Sequence, residues 1–100
     1  MITRIVKMQF RPEERESFVD IFDSSKHLIR AFDGCQQLCL YNEVGRPEVF
    51  FTYSMWTSVA HLDAYRKSEL FEAVWADTKA LFADKAEAWT IEEVGAVDVS

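Results

Sequence analysis

An α+β fold is predicted by three features of this sequence: apolar residues alternating in four runs, apolar residues recurring every third or fourth position between them, and the order of the two periods. The strand-period runs are residues 2–10, 35–42, 48–56 and 87–94. Helix-period segments fill residues 12–32, 58–66 and 68–82.

In the first run Arg4, Val6, Met8 and Phe10 share one side, and Ile5, Lys7 and Gln9 the other, as in a strand with two distinct faces. Lys7 and Gln9 are read as the polar members of its inner face. Arg11-Pro12-Glu13-Glu14 then opens a helix. Proline lacks only an N–H that a first turn leaves free, and acids favour the positive end of the helix dipole. Phe18, Ile21, Phe22, Ser25, Leu28, Ile29 and Phe32 recur at helical spacing, and Gly34 after Asp33 supplies a left-handed stop. The runs 35–42 and 48–56 are rich in aromatic and β-branched residues across the second, and Val44-Gly45-Arg46-Pro47 turns the chain between them. Ser58 and Ser68 each cap a helix, the longer one burying Phe71, Val74, Trp75, Thr78, Leu81 and Phe82. EAWTIEEV, residues 87–94, is the fourth strand, and the tail after Gly95 is expected to fray.

The order β-α-β-β-α-β is that of a ferredoxin-like, split βαβ plan: a four-stranded antiparallel sheet with its helical segments on one face. We expect one domain over residues 1–100, with a core over about 3–94 and a tail over 95–100. Both faces of the sheet carry apolar side chains: Val49, Phe51, Tyr53 and Met55 on one, Phe50 and Trp56 on the other, with Trp89 and Ile91 together on the last strand. Helices on one face leave that second set uncovered, so a two-fold homodimer is expected, joined through sheet faces or the edges beside them.

Composition narrows the classes further. A hydrophobic content of 49% with only 3 Gly and 2 Pro excludes a low-complexity chain, because enough apolar surface exists to offset chain entropy. The net charge of -6 repels phosphate backbones and anionic lipid heads, so neither nucleic acid nor membrane is an expected partner. No apolar run approaches the length of a membrane span and MITRIVKMQF has no signal-like core, which makes the cytoplasm the expected location. Cys35 and Cys39 on one strand would have α-carbons about 13 Å apart, beyond the ~7 Å reach of a disulfide, and are read as separate thiols.

The stretch FFTYSMWTSVAHLDAYRKSELF, residues 50–71, with its strand ending at Trp56, its Ser58 cap, Leu62, Tyr65-Arg66, Ser68 and Phe71, resembles the antibiotic biosynthesis monooxygenase (ABM) family. Phe32-Asp33-Gly34-Cys35 is similar to the FxG lead-in to that family's second strand. The resemblance spans about residues 3–94 and implies a dimeric α+β barrel. It also implies chemistry drawn from a varied set: cofactor-free oxidation of anthrones or quinols, haem degradation, or isomerisation of a phosphorylated signal molecule. The haem-degrading branch carries a histidine ligand on the long helix, where this chain has no histidine over 68–82 and Trp75 near that place, so no cofactor is expected. Some cofactor-free oxygenases carry Asn four residues before the tryptophan, where Thr52 stands here.

The expected function is therefore a cofactor-independent monooxygenase acting on a small phenol, quinol or anthrone. Trp56, Phe71 and Trp75, with Thr52 and Tyr53, are the candidate substrate wall; in the plainer reading Trp56, Phe71 and Trp75 only fill the core. Tyr65, Arg66 and His27 are the candidate catalytic groups, able to favour a phenolate or act on its proton. Their plainer readings are an ion pair of Arg66 with Asp63 or Glu69 and a solvated cap for His27. His61 is expected to face water. No metal-ligand spacing, phosphate loop or Ser-His-Asp arrangement stands out. The alternatives are a non-catalytic dimer that binds a small ligand or another protein, and an isomerase, which would need a cluster of cations at the pocket.

Overall fold

Alternation along the first run becomes pairing on both sides of one strand. β1 (Ile2–Gln9) lies between β3 (Val49–Trp56) and β4 (Glu87–Ile91), and β2 (Cys35–Asn42) completes an antiparallel sheet of order β2-β3-β1-β4. The computed structural model describes residues 1–97, so the last part of the predicted tail lies outside the described residues. β1 pairs with β3 from Ile2↔Trp56 to Gln9↔Val49, and with β4 from Thr3↔Ile91 to Lys7↔Glu87. Ending at Ile91 rather than at 94, β4 is shorter than predicted, because only Ile2 of β1 remains beyond the Thr3 pair.

The registers fix the faces. Arg4, Val6 and Met8 look toward the helices beside Thr52, Ser54 and Trp56. Ile5, Lys7, Tyr53 and Trp89 fall on the outer face, which corrects the expected inner placement of Lys7 and Gln9. Trp89 and Ile91 are 44% and 47% exposed there.

The first helical segment begins as a single 3-10 turn, Pro12–Glu14, before α1 (Arg15–Arg30). Tighter turns are common at helix N-termini. Here Arg11 is also tied back, its guanidinium donating to the carbonyls of Ala80 and Phe82 and sitting 3.6 Å from Glu13. Phe18, Ser25 and Ile29 form the buried stripe of α1, whereas Leu28, predicted to belong to it, is 61% exposed. Gly34 has φ +88 and lies hard against the side chain of His61, so glycine is required there both for its backbone angle and for lack of space. His61 is thus packed rather than free in water, with Nδ1 2.7 Å from the Ser58 hydroxyl.

β2 carries a bulge between Cys35 and Gln37. The extra residue turns Cys35 into the helix-side core with Ile2, Trp56 and Leu62 and leaves Cys39 half-buried elsewhere, both as free thiols. Ser58 and Ser68 cap α2 (Val59–Arg66) and α3 (Glu69–Lys79), accepting from His61 N at 3.2 Å and Phe71 N at 3.1 Å. α3 stops at Lys79, three residues short of the prediction, because Phe82 leaves the helix to bridge Phe10. Met8, Phe10, Phe18 and Phe50 make a second core cluster, in which Phe10 and Phe18 stack at 4.1 Å.

Candidate functional site

Between sheet and helices the two core clusters do not meet. A cavity of about 360 Å³ separates them, floored by β1 and β3 and roofed by all three helices. One wall is a ladder of rings. Trp56 stacks on Tyr65 at 4.9 Å, Tyr65 meets Phe71 edge-on at 5.3 Å, and Phe71 lies nearly parallel to Trp75 at 5.9 Å. The caps at Ser58 and Ser68 fix where α2 and α3 begin, and so which turns present Tyr65, Phe71 and Trp75 inward. Aliphatic side chains such as Val6, Ile21 and Leu38 close the opposite side.

The hydroxyls in this lining are mostly engaged. Trp56 Nε1 donates to Ser54 Oγ at 2.9 Å, Ser25 donates to the carbonyl of Ile21, and Thr78 to that of Val74. Such internal bonds remove the cost of burying them. Arg4 and Arg66 are the charged members, and among the described residues no aspartate or glutamate lines the cavity. Arg4 is held by an Nη1 bond of 2.8 Å to Thr90 Oγ1, and burial, then the charge of Arg66, lowers its proton affinity. Among the described residues neither Asp63 nor Glu69 makes the ion pair with Arg66 that the helical spacing allows. Arg66 ends α2 exposed at the cavity mouth.

Of the sequence candidates, Thr52, Trp56, Tyr65, Arg66, Phe71 and Trp75 come together here. Tyr53 does not: as the strand neighbour of Thr52 it points to the outer face, where its ring meets Tyr41 at 6.4 Å. His27 does not either. One position off the buried stripe of α1, it borders a separate depression with Lys26, Arg30 and Leu40. Arg4 was not singled out from the sequence, although its place in the Arg4-Val6-Met8 series was the signal: a cation on the face that packs against helices.

Burial pushes the Tyr65 phenol up to about 12, with a smaller contribution from Cys35. Tyr65 therefore stays protonated at neutral pH and can donate a hydrogen bond but not act as a base. An unfolded tyrosine loses its proton near pH ~10, so between there and the folded value only the unfolded state has released it and stability falls as pH rises. Relative to Tyr65→Phe, wild type should lose about 2 kcal/mol across that window, read as a fall of its urea midpoint against that of the variant. A gap constant with pH would contradict the burial. Among the described residues no group of three or more His, Cys, Asp or Glu is gathered to hold a metal ion.

The model of the family described as antibiotic biosynthesis monooxygenase matches residues 1–77. No curated protein matches the chain. Among solved structures, a crystal structure of an antibiotic biosynthesis monooxygenase superposes with TM-score 0.89 at 18% identity, covering 95% of this chain and 100% of that one. A conserved protein of Methanosarcina mazei gives 0.87 at 21% identity over 93% of each chain. A Mycobacterium tuberculosis protein gives 0.86 at 20% identity over 97% and 98%. At these identities the structural likeness speaks for the fold alone. With three-quarters of the sequence matched by the family model and the whole topology shared, the chain belongs to the antibiotic biosynthesis monooxygenase family.

Proposed function

We propose that this chain is a cofactor-independent oxygenase that oxidises a small planar phenol, quinol or anthrone with O2, working as a homodimer. The observation that carries the reading is a cavity walled by stacked aromatics that, among the described residues, contains two arginines and no carboxylate. A flat ring fits between such walls and is kept from water there. Arg66 at the mouth favours the ionised substrate, and protonated Tyr65 can donate to its oxygen. Among the described residues the lining offers no His, Asp or Glu to serve as a general base for the substrate's proton.

The electrons come from the substrate. An anthrone carbanion gives one electron to O2, the two radicals combine at carbon as a hydroperoxide, and loss of water leaves a carbonyl; one oxygen atom ends in product and the other in water. A quinol instead passes two electrons and two protons to O2 as hydrogen peroxide. Desolvation and orientation are the protein's part. Oxygen uptake with a panel of hydroquinones and anthrones should exceed that of buffer, and Arg66→Gln should lower the rate at least ~10-fold. Uptake equal to buffer across the panel would remove the reading.

A non-catalytic ligand-binding role is favoured by one observation: the buried hydroxyls of Ser25, Ser54 and Thr78 are satisfied within the protein. Recovery of bound compound chemically unchanged after aerobic incubation would support it. The two arginines meet the charge requirement of an isomerase on a phosphorylated ligand, but among the described residues no acid–base pair lines the cavity to move its proton. The homodimer rests on the outer sheet face, where Ile5, Phe51, Tyr53 and Met55 are only partly covered and continue into exposed Trp89 and Ile91.

A further inference from the structure

Most guanidinium groups of this chain have a partner that accounts for them. Arg11, Arg15 and Arg46 each lie within 4.0 Å of a glutamate, and Arg30 donates to the carbonyl of Cys35 at 2.7 Å. Arg4, whose bond goes to the neutral Thr90 hydroxyl, and Arg66 differ in their place. Both border the same cavity, Arg4 from β1 and Arg66 from the end of α2, and among the described residues neither meets a carboxylate. Two like charges at one cavity repel each other, the charge of Arg66 lowering the proton affinity of the partly buried Arg4, and the repulsion is relieved by an anion brought between them. In a chain of net charge -6 there is no shortage of acidic side chains to supply that anion, yet among the described residues none lines the cavity. Arg4 is moreover held in place by Thr90, so its remaining donors are oriented before any ligand arrives.

We infer that Arg4 and Arg66 form the anion-binding end of the cavity, and that its ligand is a planar aromatic compound bearing a carboxylate. The inference rests on the proposed aromatic substrate and adds its charged substituent. The ring lies along the Trp56-Tyr65 and Phe71-Trp75 wall while the carboxylate takes the guanidinium donors, a geometry that suits the flat fork of arginine. Arg4 is thereby a specificity-determining residue and Arg66 serves both orientation and charge.

The test is calorimetric titration under nitrogen, so that oxidation does not enter, with 2-naphthoate, the neutral 2-naphthamide and 2-naphthyl phosphate as probes. Wild type should bind naphthoate at least ~10-fold more tightly than the amide, the worth of a charge-assisted hydrogen bond. Arg4→Gln and Arg66→Gln should each shrink that ratio to within about threefold, and Arg66→Lys should restore part of it. Using the ratio guards against a variant that is merely less well folded, and Arg66 is exposed enough to be removed without touching the core. Equal affinity for acid and amide in wild type, a ratio unchanged in both glutamine variants, or tighter binding of the phosphate would each overturn the inference. Carboxylate preference without oxygen uptake would remove the oxygenase reading and leave this site standing.

Discussion

Trp56→Ala should destabilise the chain by about 3–5 kcal/mol, the range for deleting a fully buried aromatic side chain. Trp56 is 1% exposed, stacks on Tyr65, touches Phe32 and joins Ile2, Cys35 and Leu62 in one core cluster. Its removal would also enlarge the adjoining cavity and leave the Ser54 hydroxyl without its donor. Domains of this size carry about 5–15 kcal/mol in all, so the variant should sit near the edge of folding. The check is a urea titration, in which the midpoint falls while the slope is kept. Trp56→Phe keeps much of the packing but not the N–H, and should cost about 1–3 kcal/mol. A midpoint unchanged in the alanine variant would mean that the ring is not the keystone of its cluster.

Tyr53→Asp should abolish the proposed homodimer. Tyr53 lies mid-strand on β3, opposite Ile5 and Cys39, in the centre of the outer face. A two-fold interface there would bury the new charge twice and without a partner, weakening association by about 10²-fold or more. In the free chain the position is partly open to solvent, so the fold should survive. Sedimentation at micromolar concentration should give the dimer mass for wild type and the monomer mass for the variant, with matching circular dichroism. Monomeric wild type under those conditions would refute pairing through this face.

How far the sequence reaches is clear from single residues. Alternation through 49–56 places Thr52 and Tyr53 on opposite sides, so that one of the two had to leave the cavity; which one depends on the pairing of β3 with β1, a long-range choice. The bulge that sends Cys35 inward has no local signature, and the departure of Phe82 from α3 answers to Phe10, 72 positions earlier in the chain. Leu28 kept helical spacing yet missed the buried stripe because the width of that stripe is set by what packs on it. The cavity itself was not legible. Periodicity tells which residues face one another across sheet and helix, but not whether they touch, and here the rings of α2 and α3 stand off from Val6 and Thr52. Arg66 was legible as a candidate only because it sits beside Tyr65, while Arg4 needed its own neighbours to be seen as part of the same site.

Sheet order makes β4 the cover of one side of β1. The stretch matched by the family model nevertheless ends at residue 77, before β4. A truncation there would retain the ring ladder and both arginines, yet convert β1 into a long, unprotected border of N–H and C=O groups. The closing segment is therefore a guard against adhesion between chains as much as a component of the sheet.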